Sequence, residues 1–431
     1  MLIPNEKIKT SDIVLWVFLA VFLRLIAMLF FAHSDIIFIN YFPSKLAYSG
    51  VVDIYSYINA NFPAERIWSY YPPMTHLFLG ACQYILRPFN SGFYVWIQEV
   101  YTGGLGKWLI INGTSFDVIR YLFLMKLPYV VFDAVCLYSI FHYLDNNSSR
   151  KKALRLWSVN PVILYGVYAF GQIDLIPAAL TVLAILMVKE KKTWLAFSIL
   201  SVAALFKTFT IFLMVPFIIV LTDSRKDFIK NVIAAAVPFV LIFLPFCFLG
   251  GRNVVNSLFP VFYSNFSIDI PWQILQKLIF MVLYASLIFF CFRLKKERIE
   301  STVLRVAITV IMIIYTLFFV PIHYFVWVIP LLIAAVCVNI IPEWLYWSQI
   351  LCLFLYNLNS ANTTTWLCLP INPAFFSSLP GLPDIMHGFS IRWGMIMLGA
   401  RLIFTVLCLF IAMGIIGRVP SITKYFIKNN R

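Results

Sequence analysis

The chain has 431 residues, of which 62% are hydrophobic and 12% are charged, and its mean hydropathy is +0.90. A soluble protein is about half apolar and about one quarter charged, so these polar residues are too few to cover a water-soluble fold. The composition excludes a soluble enzyme, a secreted disulfide-rich scaffold and a disordered chain. It favours a polytopic membrane protein. In such a protein, basic residues are enriched in the cytoplasmic loops, so the net charge of +15 is examined loop by loop before it is taken as evidence for a partner.

Thirteen apolar runs follow one another along the chain, and their continuous apolar character predicts helices rather than alternating strands. A membrane helix needs about 20 apolar residues, so the shorter runs and those with a proline are expected to be broken helices that line a cavity. The sequence predicts an all-α polytopic transmembrane helix bundle. The runs cover 12–32, 72–87, 118–144, 156–172, 174–188, 193–206, 208–221, 230–249, 272–292, 302–320, 323–341, 343–357 and 393–417.

Six clusters of basic residues lie at the termini or between these runs, and they hold 20 of the 33 lysines and arginines. We assign all six to the cytoplasm. The loops 33–71, 250–271 and 357–392, and the turn 171–174, then lie outside. An odd number of runs would leave the basic C-terminal tail outside, so we expect one further crossing or a re-entrant segment within 88–117, around Phe93 to Asn112, and about 13–14 membrane helices. The run 193–221 is expected to be two short helices that break near Lys207, with one long helix as the alternative.

Because the basic clusters are explained by the orientation of the bundle, the positive net charge does not indicate nucleic acid as a partner. The eight cysteines show no metal-ligand spacing, and those in apolar runs, such as Cys136, Cys291 and Cys408, are expected to be small buried hydrophobic residues. The sequence contains no recognisable metal site and no nucleotide-binding motif. We therefore predict an activity without a cofactor.

Charges close to a membrane are costly, so the few charged residues outside the cytoplasmic clusters are the functional candidates. Asp35 directly follows the first helix. A carboxylate at the outer mouth of a bundle is expected to have a raised pKa, which suits a general base. The alternative is a helix cap. Lys207 interrupts an apolar run far from the basic clusters, which favours a functional role, whereas Arg252, His323 and Arg392 are further candidate cations with ordinary structural alternatives.

The first outer loop, 33–71, is rich in aromatic residues. Rings at a membrane interface are the ordinary explanation, but the same rings also suit stacking on sugars. The loop ends in Tyr71-Pro72-Pro73, which predicts an extended entry into the next helix. The aromatic residues are Tyr41, Phe42, Tyr48, Tyr55, Tyr57, Phe62, Trp68, Tyr70 and Tyr71.

A series of short motifs runs over roughly 20–330. The first outer loop contains Ser34-Asp35, Tyr41, Gly50, Asp53-Ile54-Tyr55 and Tyr70-Tyr71-Pro72-Pro73. They are followed by Lys126-Leu127-Pro128 with Asp133, Trp157-Ser158-Val159-Asn160-Pro161, Gly171-Gln172-Ile173-Asp174, Phe206-Lys207, and His323-Tyr324-Phe325-Val326-Trp327 with Pro330. The motifs of the loop resemble the first outer loop of the GT-C superfamily, whose members are integral-membrane glycosyltransferases that use polyprenyl-phosphate sugars. The order of the later motifs is similar to that in mannosyltransferases related to those of GPI-anchor assembly.

The resemblance implies a GT-C-type bundle with juxtamembrane helices in the first outer loop. It implies a catalytic module over 1–341 and variable C-terminal helices over 342–431, with the outer loop 357–392. It also implies an inverting transfer of a hexose, with Asp35 as base and Lys207, Arg252, His323 and Arg392 as candidate ligands of the donor phosphate. Candidate sugar or acceptor ligands are Asp53, Tyr71, Gln172, Asp174 and Tyr324, although Asp53 suits a structural role better and Asp174 could instead cap the helix that follows it.

Four other intramembrane or near-membrane charges are interpreted as structural. Lys126 and Asp133 lie seven residues apart on one helix face and could each pair with another polar group. Arg24 and Arg401 could each extend towards water or contact a lipid phosphate.

Two other functions stay open at this point: a polysaccharide polymerase of the O-antigen type, and a transporter or flippase of lipid-linked sugars. The implied partners are a polyprenyl-phosphate-linked sugar, a lipid-linked or surface glycan acceptor, and membrane lipids. We expect a multi-pass protein of the bacterial inner membrane that works in surface-polysaccharide or lipopolysaccharide synthesis, with its site facing the periplasm. The alternative is the endoplasmic reticulum membrane with a lumenal site.

Overall fold

The computed structural model describes residues 10–62, 71–250, 270–294 and 299–416. Within these ranges the chain forms helices and no strand, which confirms the predicted all-α bundle. Six of the described helices are long and apolar enough to cross a membrane, namely those over 10–30, 116–143, 225–249, 274–293, 299–317 and 393–415.

The N-terminal part consists of one long helix, a group of short helices and a second long helix. The boundaries are α1 Thr10–Phe30, α2 Asp35–Ser49, α3 Ile54–Asn61, α4 Pro73–Leu86, α5 Phe93–Gly103, α6 Leu105–Asn112 and α7 Phe116–Tyr143.

The remaining helices form the rest of the bundle. They are α8 Asn147–Ser158, α9 Pro161–Ile163 with a π-helical continuation Leu164–Ala169, α10 Leu175–Lys189, α11 Thr193–Ala204, α12 Ile211–Leu221, α13 Arg225–Gly250, α14 Ile270–Leu294, α15 Ile299–Leu317, a 3-10 helix Ile322–Trp327, α16 Ile329–Cys337, α17 Glu343–Asn357, α18 Pro373–Ser378, α19 Leu382–Gly388 and α20 Trp393–Ile416.

Helices α1 and α7 run antiparallel, as two buried contacts show. The Lys126 ammonium donates to the carbonyl oxygens of Ala27, Met28 and Phe31 at the C-terminal end of α1. Asp133, seven residues further along α7, contacts Arg24, which lies earlier in α1. The segment between the two helices therefore begins and ends at the same end of the bundle.

This geometry corrects the expected crossing within 88–117. That stretch forms α5 and α6, of 11 and 8 residues, and the preceding α4 has 14 residues. All three are shorter than a membrane span of about 20 residues, and α4 packs along α2 with Gly80 against Leu46. The short helices form one layer at the end of the bundle where α1 ends, which confirms juxtamembrane helices in the first outer loop and removes the need for a hidden crossing.

The predicted break near Lys207 is confirmed. Helix α11 ends at Ala204, Lys207 has extended backbone angles of φ −151° and ψ 130°, and a 3-10 turn at Thr208–Thr210 leads into α12. The chain thus changes direction at one end of the bundle, where Lys207 lies.

Two of the six basic clusters lie at the opposite end of the bundle. Lys152 and Arg155 pair with Glu343 at the start of α17, and Lys189 at the end of α10 pairs with Asp145. These contacts place three separate loops on one face, as the distribution of charge predicts.

The intramembrane charges are structural, as expected, and the structure identifies their partners. Arg24 is buried and binds Asp133 through Nε at 2.5 Å, so it does not extend towards water. Asp133 also accepts from the Trp157 indole at 2.5 Å and from the Tyr168 hydroxyl at 2.6 Å. Arg401 donates to the carbonyls of Tyr315 and Phe318 at the end of α15. Cys136, Cys291 and Cys408 are buried free thiols, as predicted.

Candidate active site

Asp35 is the first residue of α2 and lies where α1 ends. Its Oδ2 accepts a 2.6 Å hydrogen bond from Gln172 Nε2, and its Oδ1 lies 3.1 Å from His33 Nδ1. About one third of the side chain is exposed, so another molecule can reach the carboxylate. Asp35 therefore does not serve as a cap for its own helix, because its two oxygens contact other side chains.

The predicted rise in the pKa of Asp35 is wrong. Burial alone would raise this pKa, but the hydrogen bond and charge of His33, the charge of His323 and the Gln172 amide together hold it below the ordinary range of an aspartate. Hydrogen bonds to the ionised form stabilise that form. Asp35 is consequently a carboxylate, able to accept a proton, over the whole physiological pH range.

The turn that carries Gln172 is fixed against α2. Gly171 has a φ of +83°, and a Cβ atom at this position would lie 2.7 Å from Ile36. Glycine is the residue that adopts such a φ without steric cost. The Tyr129 hydroxyl also donates to the Gly171 carbonyl at 3.1 Å. Only glycine lets this turn approach α2 closely enough for Gln172 to reach Asp35.

Asp174, at the end of the same turn, is fully buried. Its Oδ1 accepts from the Trp327 indole at 2.5 Å and lies 3.5 Å from Lys207 Nζ. It makes no side-chain cap on α10, so the capping alternative is not what the structure shows. Its second oxygen, Oδ2, and the Gln172 Oε1 atom are both buried and have no hydrogen-bond partner among the described residues.

Lys207 lies between two tyrosine rings. Its Nζ is 4.9 Å from the ring centroids of both Tyr71 and Tyr324, and 13% of its side chain is exposed. Burial alone would lower the pKa of Lys207, but Asp174 and the two tyrosines raise it above the ordinary lysine value. The ammonium is therefore charged, and cation–π contacts with both rings hold it in place.

His323 lies near the start of the 3-10 helix Ile322–Trp327, next to Tyr324. Its ring stacks on Phe170, whose centroid lies 5.4 Å away, and its backbone packs on Gly166, where a Cβ atom would come within 2.9 Å of it. Burial lowers the pKa of His323 to about 4. At neutral pH this ring can donate a hydrogen bond to a phosphate, but it is not a cation before an anion binds.

The charges of Asp35 and Asp174 both act on the hydroxyls of Tyr71 and Tyr324. These tyrosines also flank Lys207, as described above. The structure thus brings six of the predicted site residues into one cluster, namely Asp35, Tyr71, Gln172, Asp174, Lys207 and Tyr324, with His323 beside them.

The remaining predicted site residues lie elsewhere. Asp53 accepts a 3.1 Å hydrogen bond from the Ser56 backbone N–H and caps α3, which is the structural role expected of it. Arg392 is exposed just before α20, and no contact of the described residues joins it to the cluster. Arg252 lies outside the described residues.

Most aromatic residues of the first outer loop pack inside the layer of short helices. Tyr41, Phe42 and Tyr55 are buried, and the Tyr41 ring stacks on Tyr101 at 3.7 Å. These rings form a core rather than a sugar-binding surface. Trp68 and Tyr70 lie outside the described residues, so Tyr71 is the ring of this loop that the structure places in the cluster.

Three contacts of the cluster were not predicted from sequence. His33 touches Asp35, and its spacing of two residues was the available signal. Trp327 holds Asp174 from a segment 153 residues away. The loop after α17 also reaches the site, because the Ala32 N–H donates to the Leu367 carbonyl at 3.0 Å. A cleft beside His33 is lined by Ala32, Ser34, Gly106, Asn362 and Trp366, among others.

Within the part of the chain that the structure describes, no three His, Cys, Asp or Glu side chains come together in a way that could hold a metal ion. The cluster around Asp35 consists instead of one lysine, two carboxylates, an amide, histidines and aromatic rings.

Residues 122–321 match the family model of Glycosyltransferase family 87, a GT-C-like family of membrane glycosyltransferases. The resemblance to the GT-C superfamily is confirmed. The matched stretch includes the GT-C-like residues Gln172, Asp174 and Lys207, begins after Asp35 and ends just before His323. No curated protein matches the chain. The family match supports a glycosyltransferase role in a chain with several membrane helices.

Proposed function

We propose that this protein is an inverting glycosyltransferase that moves a hexose from a polyprenyl-phosphate sugar to a lipid-linked or cell-surface glycan acceptor. Asp35 acts as the general base. The observation that carries this proposal is the partly exposed Asp35 carboxylate, which Gln172 and His33 hold beside a turn whose other end contacts Lys207.

In the proposed reaction Asp35 takes the proton of the acceptor hydroxyl, and the acceptor oxygen attacks the anomeric carbon. The bond from that carbon to the phosphate oxygen breaks, its electron pair stays on the phosphate, and the configuration inverts. Negative charge grows on the leaving phosphate, and fixed cations stabilise such charge in an enclosed site. Lys207 serves this purpose, with His323 as a hydrogen-bond donor.

The orientation of the sugar is assigned to Gln172 Oε1 and Asp174 Oδ2, two buried acceptor atoms that have no hydrogen-bond partner among the described residues. A buried acceptor without a hydrogen bond costs about 1–3 kcal/mol, and a sugar hydroxyl bound here would remove that cost. Tyr71 and Tyr324, whose rings flank Lys207, are assigned as further sugar or acceptor ligands. Arg392 remains a candidate phosphate ligand only if the acceptor brings its loop inward.

We infer that the site faces the outer side of the membrane, which is the periplasm in a bacterium, since the basic clusters 150–155 and 189–192 lie at the opposite end of the bundle. Residues 1–341 form the proposed catalytic module, and the C-terminal helices over 342–431 contribute the loop beside Ala32 and His33. The side of the membrane that the Asp35 end of the bundle faces can be tested by labelling a cysteine introduced at Ser49. We expect this cysteine to react with a reagent added from outside.

The test of the function uses purified protein in lipid nanodiscs, a polyprenyl-phosphate hexose and a lipid extract with candidate acceptors. We expect release of polyprenyl phosphate that depends on both the donor and the extract. Consumption of diphosphate-linked oligosaccharides in place of the donor would identify a polymerase instead. Movement of the lipid-linked sugar across proteoliposomes without cleavage would identify a transporter.

A further inference from the structure

His33 occupies an unusual position between the backbone and the side chain of Asp35. Its Nδ1 lies 3.2 Å from the Asp35 backbone nitrogen and 3.1 Å from the Asp35 Oδ1 atom. With Nδ1 unprotonated, the ring accepts from the backbone N–H. With Nδ1 protonated, it donates to the carboxylate. One ring atom therefore has a good partner both with and without a proton.

The ring itself is held in place. His33 stacks on Phe170 with centroids 3.7 Å apart and planes 15° apart, and its side chain is 17% exposed. The same Phe170 ring stacks on His323 on the other side. The imidazole thus stays at hydrogen-bond distance from Asp35 without support from a substrate.

A cleft lies next to His33 and is distinct from the side of Asp35 that faces Gln172. Its lining includes Ser34, Asn362 and Trp366, and it has room for a water molecule. The groups that face His33 from the surrounding elements are Asp35 on α2, His323 across Phe170, and the neutral side chains of Asn362 and Trp366. On α6, Lys107 is exposed, while Leu105 and Leu109 line the cleft.

We propose that His33 receives from Asp35 the proton that the acceptor hydroxyl gives up, and passes it to water in the adjoining cleft. The O–H bond of the acceptor breaks as an O–H bond forms on Asp35. That bond then breaks as an N–H bond forms on His33 Nδ1, and Asp35 is again a carboxylate. The imidazolium then loses its Nδ1 proton to water, which returns the ring to the form that can accept at Nδ1 and completes the cycle, with no oxidation or reduction.

This inference rests on the proposed role of Asp35 as base. It suits the groups present, because His33 Nδ1 lies within hydrogen-bond distance of both the Asp35 backbone nitrogen and the Asp35 carboxylate. A proton left on Asp35 would have to escape through the bound product, whereas His33 offers a separate exit. His33 acts through Asp35 and is therefore a positioning and relay residue.

The test compares His33→Ala and His33→Gln in the donor-dependent assay, with and without added imidazole, between pH 5.5 and 8.5. A glutamine can still donate a hydrogen bond to Asp35 but cannot carry the proton away. We expect both variants to be slower by about 100-fold. Imidazole should restore part of the turnover of His33→Ala, more strongly as its free-base fraction rises with pH. His387→Ala, in the exposed helix α19, is the matched control and should keep full turnover.

A His33→Gln variant with near wild-type turnover and an unchanged pH profile would overturn the relay and leave only a positioning role. A failure of imidazole to increase the turnover of folded His33→Ala would also overturn it, and the melting temperature of each variant identifies the folded samples. The parallel variant Asp35→Asn separates the two proposals. Full turnover by Asp35→Asn would refute the role of Asp35 as base, whereas loss of its turnover alongside a normal His33→Gln would refute the relay alone. A wild-type protein that releases no polyprenyl phosphate would refute the proposed function.

Discussion

Gln172 Nε2 donates a 2.6 Å hydrogen bond to Asp35 Oδ2 across a sequence separation of 137 residues. This contact joins the start of the first outer helix to the turn that carries Asp174, and so to Lys207. It also contributes to the lowered pKa of Asp35. The chemistry of the site therefore depends on a contact between two elements that are distant in the chain.

Replacing Gln172 with glutamate should change the pH dependence of transfer. A second carboxylate beside Asp35 disfavours its ionised form and raises its pKa, so the base is protonated at a higher pH. We expect the acidic limb of kcat/KM to move to higher pH by about one unit or more, with a smaller loss at pH 8 than at pH 6. An acidic limb at the wild-type position would show that Gln172 does not act on the base.

Gly171→Ala should disable the site without touching any polar group. The new Cβ would meet Ile36 at 2.7 Å, and the φ of +83° is strained for alanine, at a cost of about 1–2 kcal/mol from the backbone alone. We expect turnover to fall by at least tenfold. Gly394→Ala is the matched control, because a Cβ there meets nothing within 4 Å. Equal turnover in the two variants would contradict the argument.

Lys207→Met should leave Asp174 buried beside an apolar side chain. We expect loss of turnover, a higher KM for the donor, and a lower melting temperature. Lys207→Met combined with Asp174→Asn should recover most of the melting temperature, because no unpaired charge remains, but should not recover turnover. Recovery of turnover in the double variant would show that the pair serves stability alone.

Arg24→Met should destabilise the bundle by about 3–5 kcal/mol, since it leaves the buried Asp133 without its cation. Asp133 would keep the hydrogen bonds from Trp157 and Tyr168. Combining the change with Asp133→Asn should return part of the loss. Thermal unfolding in detergent measures both effects, and an unchanged melting temperature for Arg24→Met would contradict the assignment of this pair as structural.

Much of the fold could be predicted from the sequence, because long apolar runs indicate membrane helices and basic clusters indicate the orientation of those helices. The break at Lys207 was also predicted, and so was the expectation that Lys126 and Asp133 would each contact another polar group, which are the α1 carbonyls and Arg24 respectively. The fold of 88–117 was not predicted, since its apolar residues form the short helices α5, which packs on α2, and α6, which packs on α5 and α18. Run length alone does not distinguish a short spanning helix from one packed against its neighbours.

The residues of the cluster around Asp35 were identified from the sequence, but the contacts that join them were not. Asp35, Gln172, Asp174 and Lys207 were identified as separate charges and motifs, and the structure brings them together. The direction of the Asp35 pKa shift was wrong because it depends on hydrogen bonds from His33 and Gln172, which position in the chain does not reveal. The contact of Trp327 with Asp174, and the approach of the Leu367 loop to Ala32, likewise require the folded chain.

The most direct test of the central claim is donor turnover by Asp35→Asn, measured as polyprenyl phosphate released in nanodiscs at pH 7. The control is Asp117→Asn, an exposed carboxylate at the start of α7. We predict that Asp35→Asn binds the donor, keeps the wild-type melting temperature within a few degrees, and loses at least about 100-fold in turnover, while Asp117→Asn turns over normally. Wild-type turnover by folded Asp35→Asn would contradict the account.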